Sequence, residues 1–349
     1  MAGPIDMTGQ LVGNAVRLAW YSGLGWALRR MPASGVPATA STSTFQPRGP
    51  VPSRAELLAD IRSLLWADAK AVREGLYPPL PPEEVGFLDH VRRIRAMADD
   101  VPRAAERRQA RDAGTARDVD GADGLPDYYA QDFHFQTGGY LTAESARLYD
   151  VQVETLFSGS AAAMRRAGLR AIARFMRGRD QRQVSLIDVA CGTGRFLRDV
   201  RLAFPAIELT GIDLSEAYLA EATAHLGRLR PARLIVGNAE AMPLADASQD
   251  IVTSVFLFHE LPPEVRRTVA SEMARVLKPG GRLVFIDSLQ MGDRPGWDGL
   301  LESFPQRFHE PYYRHYAIDD LDALFTEAGL VADGSEIAFL SKVLVRRKA

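Results

Sequence analysis

The stretch that decides the fold is Asp188-Val-Ala-Cys-Gly-Thr-Gly194, which closes an apolar β-branched run (184–190) and opens a helix-length amphipathic segment near Arg195. Glycines there permit a left-handed backbone and let a ligand approach the bare chain, and the helix start presents amides with no intrahelical partner. Such a turn suits a flat or anionic cofactor. Nineteen residues past Gly194 a second strand-like run ends in Asp213, positioned to accept hydrogen bonds from ribose hydroxyls. A nicotinamide-type fingerprint needs a third glycine in G-x-G-x-x-G, and that position is Leu197.

Short strand-like runs alternate with helical segments on both sides of this turn, the pattern of a parallel sheet covered by helices. Strands are expected near 184–190, 206–212, 232–236, 250–257 and 282–287, with helices near 194–204, 215–229 and 264–277. A last helix near 318–328 precedes runs at 335–340 and 342–347, too close for a crossover and therefore a hairpin. The expected fold class is α/β, a Rossmann-like seven-stranded sheet, mostly parallel with a terminal antiparallel hairpin, behind an N-terminal helical region.

These residues resemble the class I S-adenosylmethionine-dependent methyltransferases, in particular small-molecule enzymes similar to quinone C-methyltransferases. The resemblance rests on DVACGTG (188–194), GIDLS (211–215), GNAEAMPLADASQDIV (237–252) and RVLKPGGRLVFID (275–287), in order, and covers about 184–348. It implies a seven-stranded methyltransferase domain with S-adenosylmethionine as cofactor. Asp188, Ala190, Gly192 and Gly194 would hold its methionine end, Asp213 the ribose, Leu214 the adenine face, and Asn238 with Ala239 the adenine edge. Many relatives carry an aspartate where this chain has Asn238; an amide carbonyl still accepts one hydrogen bond. The implied function is methyl transfer by in-line displacement to a small aromatic, quinone-like or natural-product acceptor. A non-catalytic S-adenosylmethionine-binding scaffold and a protein methyltransferase are the alternatives.

Because a sulfonium donor is already activated, the protein has mainly to hold the two reacting atoms together and exclude water. A base, if used, belongs at the ends of strands four and five, where Phe258-His259-Glu260 and Asp287-Ser288 fall. His259 is the candidate base. Tyr313 and His315, in the aromatic and cationic cluster 307–316, are candidates for positioning the substrate. The aromatic segment 128–140, with Gly138 and Gly139, reads as a cover over the cofactor or as a joining turn.

Elsewhere the sequence is mostly exclusion. Of 349 residues, 42 are Lys or Arg and 44 Asp or Glu, and each side of residue 130 is balanced, 16 basic against 16 acidic and then 26 against 28. Nucleic acid is thus an unexpected partner. No HExxH or tight ligand spacing suggests a metal. Cys191, the single cysteine, is not in the Pro-Cys motif of pyrimidine methyltransferases, and no Asp/Asn-Pro-Pro-Tyr element occurs. The apolar run Leu11–Leu28 is broken by Asn14 and Arg17, so stable membrane insertion is not expected. Asp6 in place of a basic cluster argues against a signal peptide, and the cytoplasm is the expected location. Trp20, Tyr21 and Trp26 fit a helix packed on its own protein or one lying in a membrane interface. Residues 1–130 read as a helical region with a Pro/Ser/Thr-rich linker at 32–53, and 131–349 as the methyltransferase domain, with a homodimer left open. Ser53-Arg-Ala-Glu56 is a capping box starting a helix that Tyr77-Pro-Pro-Leu-Pro-Pro82 stops, and a further helix is expected over 83–98. Arg165, Arg166, Arg170, Arg174 and Arg177 read as a solvated helix face.

Overall fold

In the computed structural model, residues 4–30, 45–79, 87–110 and 112–349 are described. Seven strands, β1 (Ser185–Val189), β2 (Glu208–Asp213), β3 (Arg233–Val236), β4 (Gln249–Val255), β5 (Leu277–Ser288), β6 (Leu330–Ala338) and β7 (Ser341–Lys348), form one sheet in the order β3-β2-β1-β4-β5-β7-β6. The first five are parallel, while β7 runs antiparallel to both β5 and β6. All five residues of β1 are buried, as a strand covered on both faces requires. Chain order reverses on either side of β1, so its carboxyl end, with that of β4, is the switch point where open α/β sheets bind ligands.

The sheet and hairpin follow the sequence reading with two shifts, the first at β5, which begins at Leu277 rather than 282. β6 begins at Leu330, five residues early, because this edge strand is exposed over residues 331–335 and shows no period-two alternation to read. Helices α6 (Arg195–Ala203), α7 (Glu216–Leu226) and α8 (Pro263–Val276) connect the parallel strands. Between β5 and β6 lie α9 (Asp298–Arg307), α10 (Tyr313–Tyr316) and α11 (Leu321–Glu327).

Among the described residues five α-helices precede the sheet: α1 (Pro4–Arg30), α2 (Arg54–Arg73), α3 (Phe87–Ala110), α4 (Ala143–Leu156) and α5 (Ala161–Met176). The capping box at Ser53 forms in both directions. Helix α3 continues twelve residues beyond the expected end, through Pro102, since Arg103–Ala110 is rich in strong helix formers. The start expected at 83 lies outside the described residues, as does 31–44 of the expected linker. The remainder of that linker is docked on α9: Gly299 N donates to Pro50 O at 3.0 Å and Arg48 N to Glu302 Oε2 at 2.6 Å. Among the described residues no helix is long and apolar enough to cross a membrane.

The arginine face on α5 is a correction. Arg165, Arg166 and Arg170 are buried, and only Arg174 and Arg177 are exposed. Arg166 pairs with Asp68 through two bonds of 2.7 Å, and Arg165 with Glu154 at 3.0 Å. Arg170 pairs with Glu336. The carboxylates come from α2, α4 and β6, distant in sequence, so α5 read alone appears cationic. Asp68 also accepts from Gln10 at 2.8 Å and Asn14 at 2.9 Å on α1, and from Tyr77 at 2.9 Å. Fully desolvated but surrounded by these donors, its carboxyl is held at about 2. One side chain thus joins α1, α2 and α5. Tyr21 packs with Met97, Leu148 and Val151, whereas Trp20 and Trp26 stay about half exposed.

Candidate active site

The turn after β1 takes its shape from three alternate positive-φ positions, Ala190 (56°), Gly192 (53°) and Gly194 (72°). At Gly194 a Cβ would lie 2.7 Å from that of Ala222, so the glycine lets α6 start against α7. Gly192 N donates to Asp213 Oδ2 at 2.8 Å and Ser215 N to Asp213 Oδ1 at 2.9 Å, which locks the first turn to the tip of β2. Burial pushes the Asp213 carboxyl up against those amides.

Ala190, Gly192, Asp213, Leu214, Asn238 and Ala239 line one crevice at the carboxyl ends of β1, β2 and β3. Two residues expected with them are not on its wall. Asp188 is 1% exposed and accepts from Thr253 Oγ1 at 2.6 Å; burial raises its carboxyl to about 7. Gly194 serves as the helix start instead. Asn238 uses its carbonyl locally, accepting from Glu240 N at 2.9 Å. Segment 128–140 roofs the crevice with Tyr128, Tyr129, Phe133 and Tyr140, the last two stacked 5.4 Å apart. Gly139 belongs to a tight turn there, where a Cβ would strike the Gln131 carbonyl oxygen at 2.2 Å.

The crevice adjoins a second, larger cavity of about 720 Å³, and Tyr149, Phe256 and Glu260 line both. Most of its wall is apolar: Leu57, Leu58 and Ile61 from α2, Val153 and Leu156 from α4, and Leu300, Leu301 and Phe304 from α9. Ser22, Arg54, Ser303 and Arg307 interrupt it, and a further set of polar groups, His134, His259, Ser288 and the shared Glu260, also lines it. Asp287, last but one in β5, accepts from Phe258 N at 2.7 Å and meets His259 Nδ1 at 2.6 Å. That contact fixes the ring and leaves Nε2 as its other polar atom, 3.9 Å from Glu260 Oε1. Burial opposes charge on His259, but Asp287, Glu310 and Glu260 outweigh it and raise the imidazole to about 9. Tyr313 also lines the cavity, with its hydroxyl 2.8 Å from Ser288 Oγ.

His315 does not reach the cavity, which corrects its expected role. Its side chain is half exposed and its Nδ1 lies 3.0 Å from Arg266 Nη1, on the far side of α10. Arg266 itself is fully buried and ties the 258–260 turn to segment 312–319 through Phe258 O, Tyr312 O and Asp319. The cavity wall from α1, α2 and α4 was not anticipated, because its residues look like ordinary core positions. Nor was a cluster that spacing could not reveal: His134, Glu260 and Glu310 each place a side-chain ligand atom within 4.8 Å of the others.

Residues 186–281 match a family described as a methyltransferase domain. This stretch of the chain is thus similar to a methyltransferase domain. Among curated proteins, it is 33% identical over 165 residues to a ubiquinone/menaquinone biosynthesis C-methyltransferase of Methylobacterium nodulans, covering 46% of this chain and 63% of that one. It is 38% identical over 104 residues to a demethylmenaquinone methyltransferase of Thermotoga maritima (30% and 43%). With a malonyl-[acyl-carrier protein] O-methyltransferase of Methylococcus capsulatus it shares 39% over 100 residues (29% and 36%). The match thus spans less than two thirds of each of these relatives. A solved S-adenosylmethionine-dependent methyltransferase from Aquifex aeolicus superimposes with a TM-score of 0.39 at 20% identity, over 52% of this chain and 89% of that one. A methyltransferase domain of this type uses S-adenosylmethionine, and the crevice suits it: a glycine at 192 that leaves the backbone open to close approach, a carboxylate at the β2 tip, and an amide side chain beyond β3.

Proposed function

We propose that the protein transfers a methyl group from S-adenosylmethionine to a small, largely apolar acceptor of aromatic or quinone type. One observation carries this reading: the cofactor crevice shares Tyr149, Phe256 and Glu260 with a larger, mostly apolar cavity, whose wall carries His259 and Tyr313 as well as the more scattered Ser22, Arg54, Ser303 and Arg307. Its volume of about 720 Å³ lies within the roughly 300–1,000 Å³ usual for small-molecule sites. An acceptor ring would lie at the shared residues and its apolar remainder along α2 and α9.

Asp213 would hold the ribose, with Leu214, Asn238 and Ala239 around the adenine and Ala190 and Gly192 nearest the methionine portion. The sulfonium, once bound, supplies an activated methyl group. The protein's own part is positional: the aromatic roof and the helices around the cavity exclude water and hold the acceptor atom in line. His259, its ring fixed by Asp287, would take a proton from the acceptor in its neutral form, which, with the imidazole raised to about 9, dominates only at alkaline pH, and Tyr313 would orient the acceptor. The cavity is walled by α2, α4 and α9, a concave shape that favours a small acceptor over a protein substrate.

The test is methyl-labelled S-adenosylmethionine with a panel of hydroquinones, phenols and β-dicarbonyl compounds. Label transferred to an apolar ring acceptor is the expected result. Saturable cofactor binding with no transfer to any acceptor would instead make the chain a binding scaffold.

A further inference from the structure

Glu310 is the least expected side chain in the molecule. Its residue is 4% exposed, its side chain is wholly inaccessible, and neither carboxylate oxygen receives a hydrogen bond. It is aimed at His134, with Oε1 3.0 Å from Nε2. A second carboxylate, Glu260, points into the same space with Oε1 4.0 Å from that nitrogen. Two carboxylates driven together out of water, Glu310 with no donor at all, are strongly disfavoured, and a positive centre among them removes the penalty.

We propose that His134 Nε2 and the carboxylates of Glu260 and Glu310 bind one divalent transition-metal cation beside the acceptor cavity. The spacing has the right scale. Donors about 2.1 Å from one ion stand roughly 3.0 Å apart at a right angle and at most about 4.2 Å apart when opposed. The two nitrogen–oxygen separations of 3.0 and 4.0 Å span that interval. One imidazole and two carboxylates form a mixed nitrogen and oxygen set that suits Mn²⁺, Fe²⁺ or Zn²⁺ better than an all-oxygen ion such as Ca²⁺.

The three ligands come from separate pieces of chain that the fold fastens together. His134 N donates to His309 O at 3.2 Å, which registers the roof segment against the residue before Glu310. Tyr140 donates to Glu260 Oε1 at 2.5 Å, an outer partner of the kind that orients metal-binding carboxylates. His134 and Glu260 both line the cavity, whereas Glu310 lies behind them. The open coordination positions therefore face the acceptor, and an oxygen on that acceptor, phenolic or enolic, is what the ion would polarise. Ion binding stands independently of the methyl-transfer reading, while this role toward the acceptor rests on it. The competing source of positive charge is His259, 3.9 Å from Glu260. If its imidazolium balances the carboxylates, no ion binds.

The probe is Mn²⁺ alone, added to chelator-treated full-length protein without cofactor or acceptor and followed by loss of the free-ion electron paramagnetic resonance signal. One Mn²⁺ per chain is expected, displaced by Zn²⁺ and weakened at least tenfold in both Glu310→Gln and His134→Gln, with Glu264→Gln, on the exposed face of α8, unchanged. The two replacements guard against misfolding, each checked by its thermal melt. Absence of stoichiometric Mn²⁺ in the wild type, or wild-type affinity in a folded Glu310→Gln, overturns the proposal. Mn²⁺ binding in a chain that methylates nothing would leave the site standing and remove only its role toward an acceptor.

Discussion

Replacing Asp213 by Asn is the most informative single perturbation of the cofactor crevice. The carboxylate serves two backbone donors, Gly192 N at 2.8 Å and Ser215 N at 2.9 Å, and is the acidic group on the crevice wall at the tip of β2. An asparagine keeps one carbonyl acceptor and turns an NH₂ group toward the other amide, so one N–H loses its partner. For a buried group that costs about 1–3 kcal/mol of stability. The ribose hydroxyls lose a charged acceptor at the same time, a contact of about 1.5–3 kcal/mol. At 1.4 kcal/mol per factor of ten, the dissociation constant of S-adenosylhomocysteine should rise about 10- to 150-fold. Titration calorimetry reads this directly, and a 2′,3′-dideoxy analogue should show little difference between the two proteins. A folded Asp213→Asn variant whose affinity stays within twofold of the wild type would refute the ribose assignment.

Further outcomes can be stated. His259→Asn should lower kcat by about a hundredfold or more with little change in cofactor affinity, as loss of a general base does; an unchanged kcat would leave the ring a wall residue. Asp188→Asn should be at least as stable as the wild type at pH 8. Burial raises the folded-state carboxyl from 3.8 to about 7, so the wild type's stability contribution is present below pH 3.8 and is lost as pH rises through 7, a loss the amide escapes; a large drop in urea midpoint at pH 8 contradicts this. Asp68→Asn should destabilise by about 3–5 kcal/mol, since it leaves the Arg166 charge buried without its partner. Because the Asp68 carboxyl is depressed from 3.8 to about 2, its contribution is present above pH 3.8 and fades as pH falls toward 2, so the variant's deficit should shrink over that interval. Equal midpoints at pH 7 would discount the network.

What the sequence disclosed follows from how local its signals were. The glycine turn, the acid at the tip of β2 and the strand-helix alternation are each written within about twenty residues, so the mostly parallel sheet with its hairpin and the place of the cofactor crevice were legible, while the strand order was not read. The acceptor cavity was not. Leu57, Ile61 and Leu300 have the same periodicity whether they face a core or a cavity, and only the three-dimensional arrangement separates the two. Charge was misread for a related reason: Arg165, Arg166 and Arg170 find their acids 11 to 166 residues away. His134, Glu260 and Glu310 likewise have no ligand spacing to recognise. His315 was mistaken because its neighbour Tyr313 faces the cavity, while two positions along a helical turn point nearly opposite ways.

The carboxylate shared by α1, α2 and α5 has a consequence for turnover. Ser22 and Trp26 on α1, and Leu57, Leu58 and Ile61 on α2, form the cavity's outer portion, so the anchor that keeps these helices on the sheet also governs how readily that portion yields to an entering or departing molecule. Heat tolerance and product escape are then two readings of one ion pair. Selection that tightened it for a hotter habitat would slow exchange, and selection for faster exchange would draw on the same reserve of folding stability.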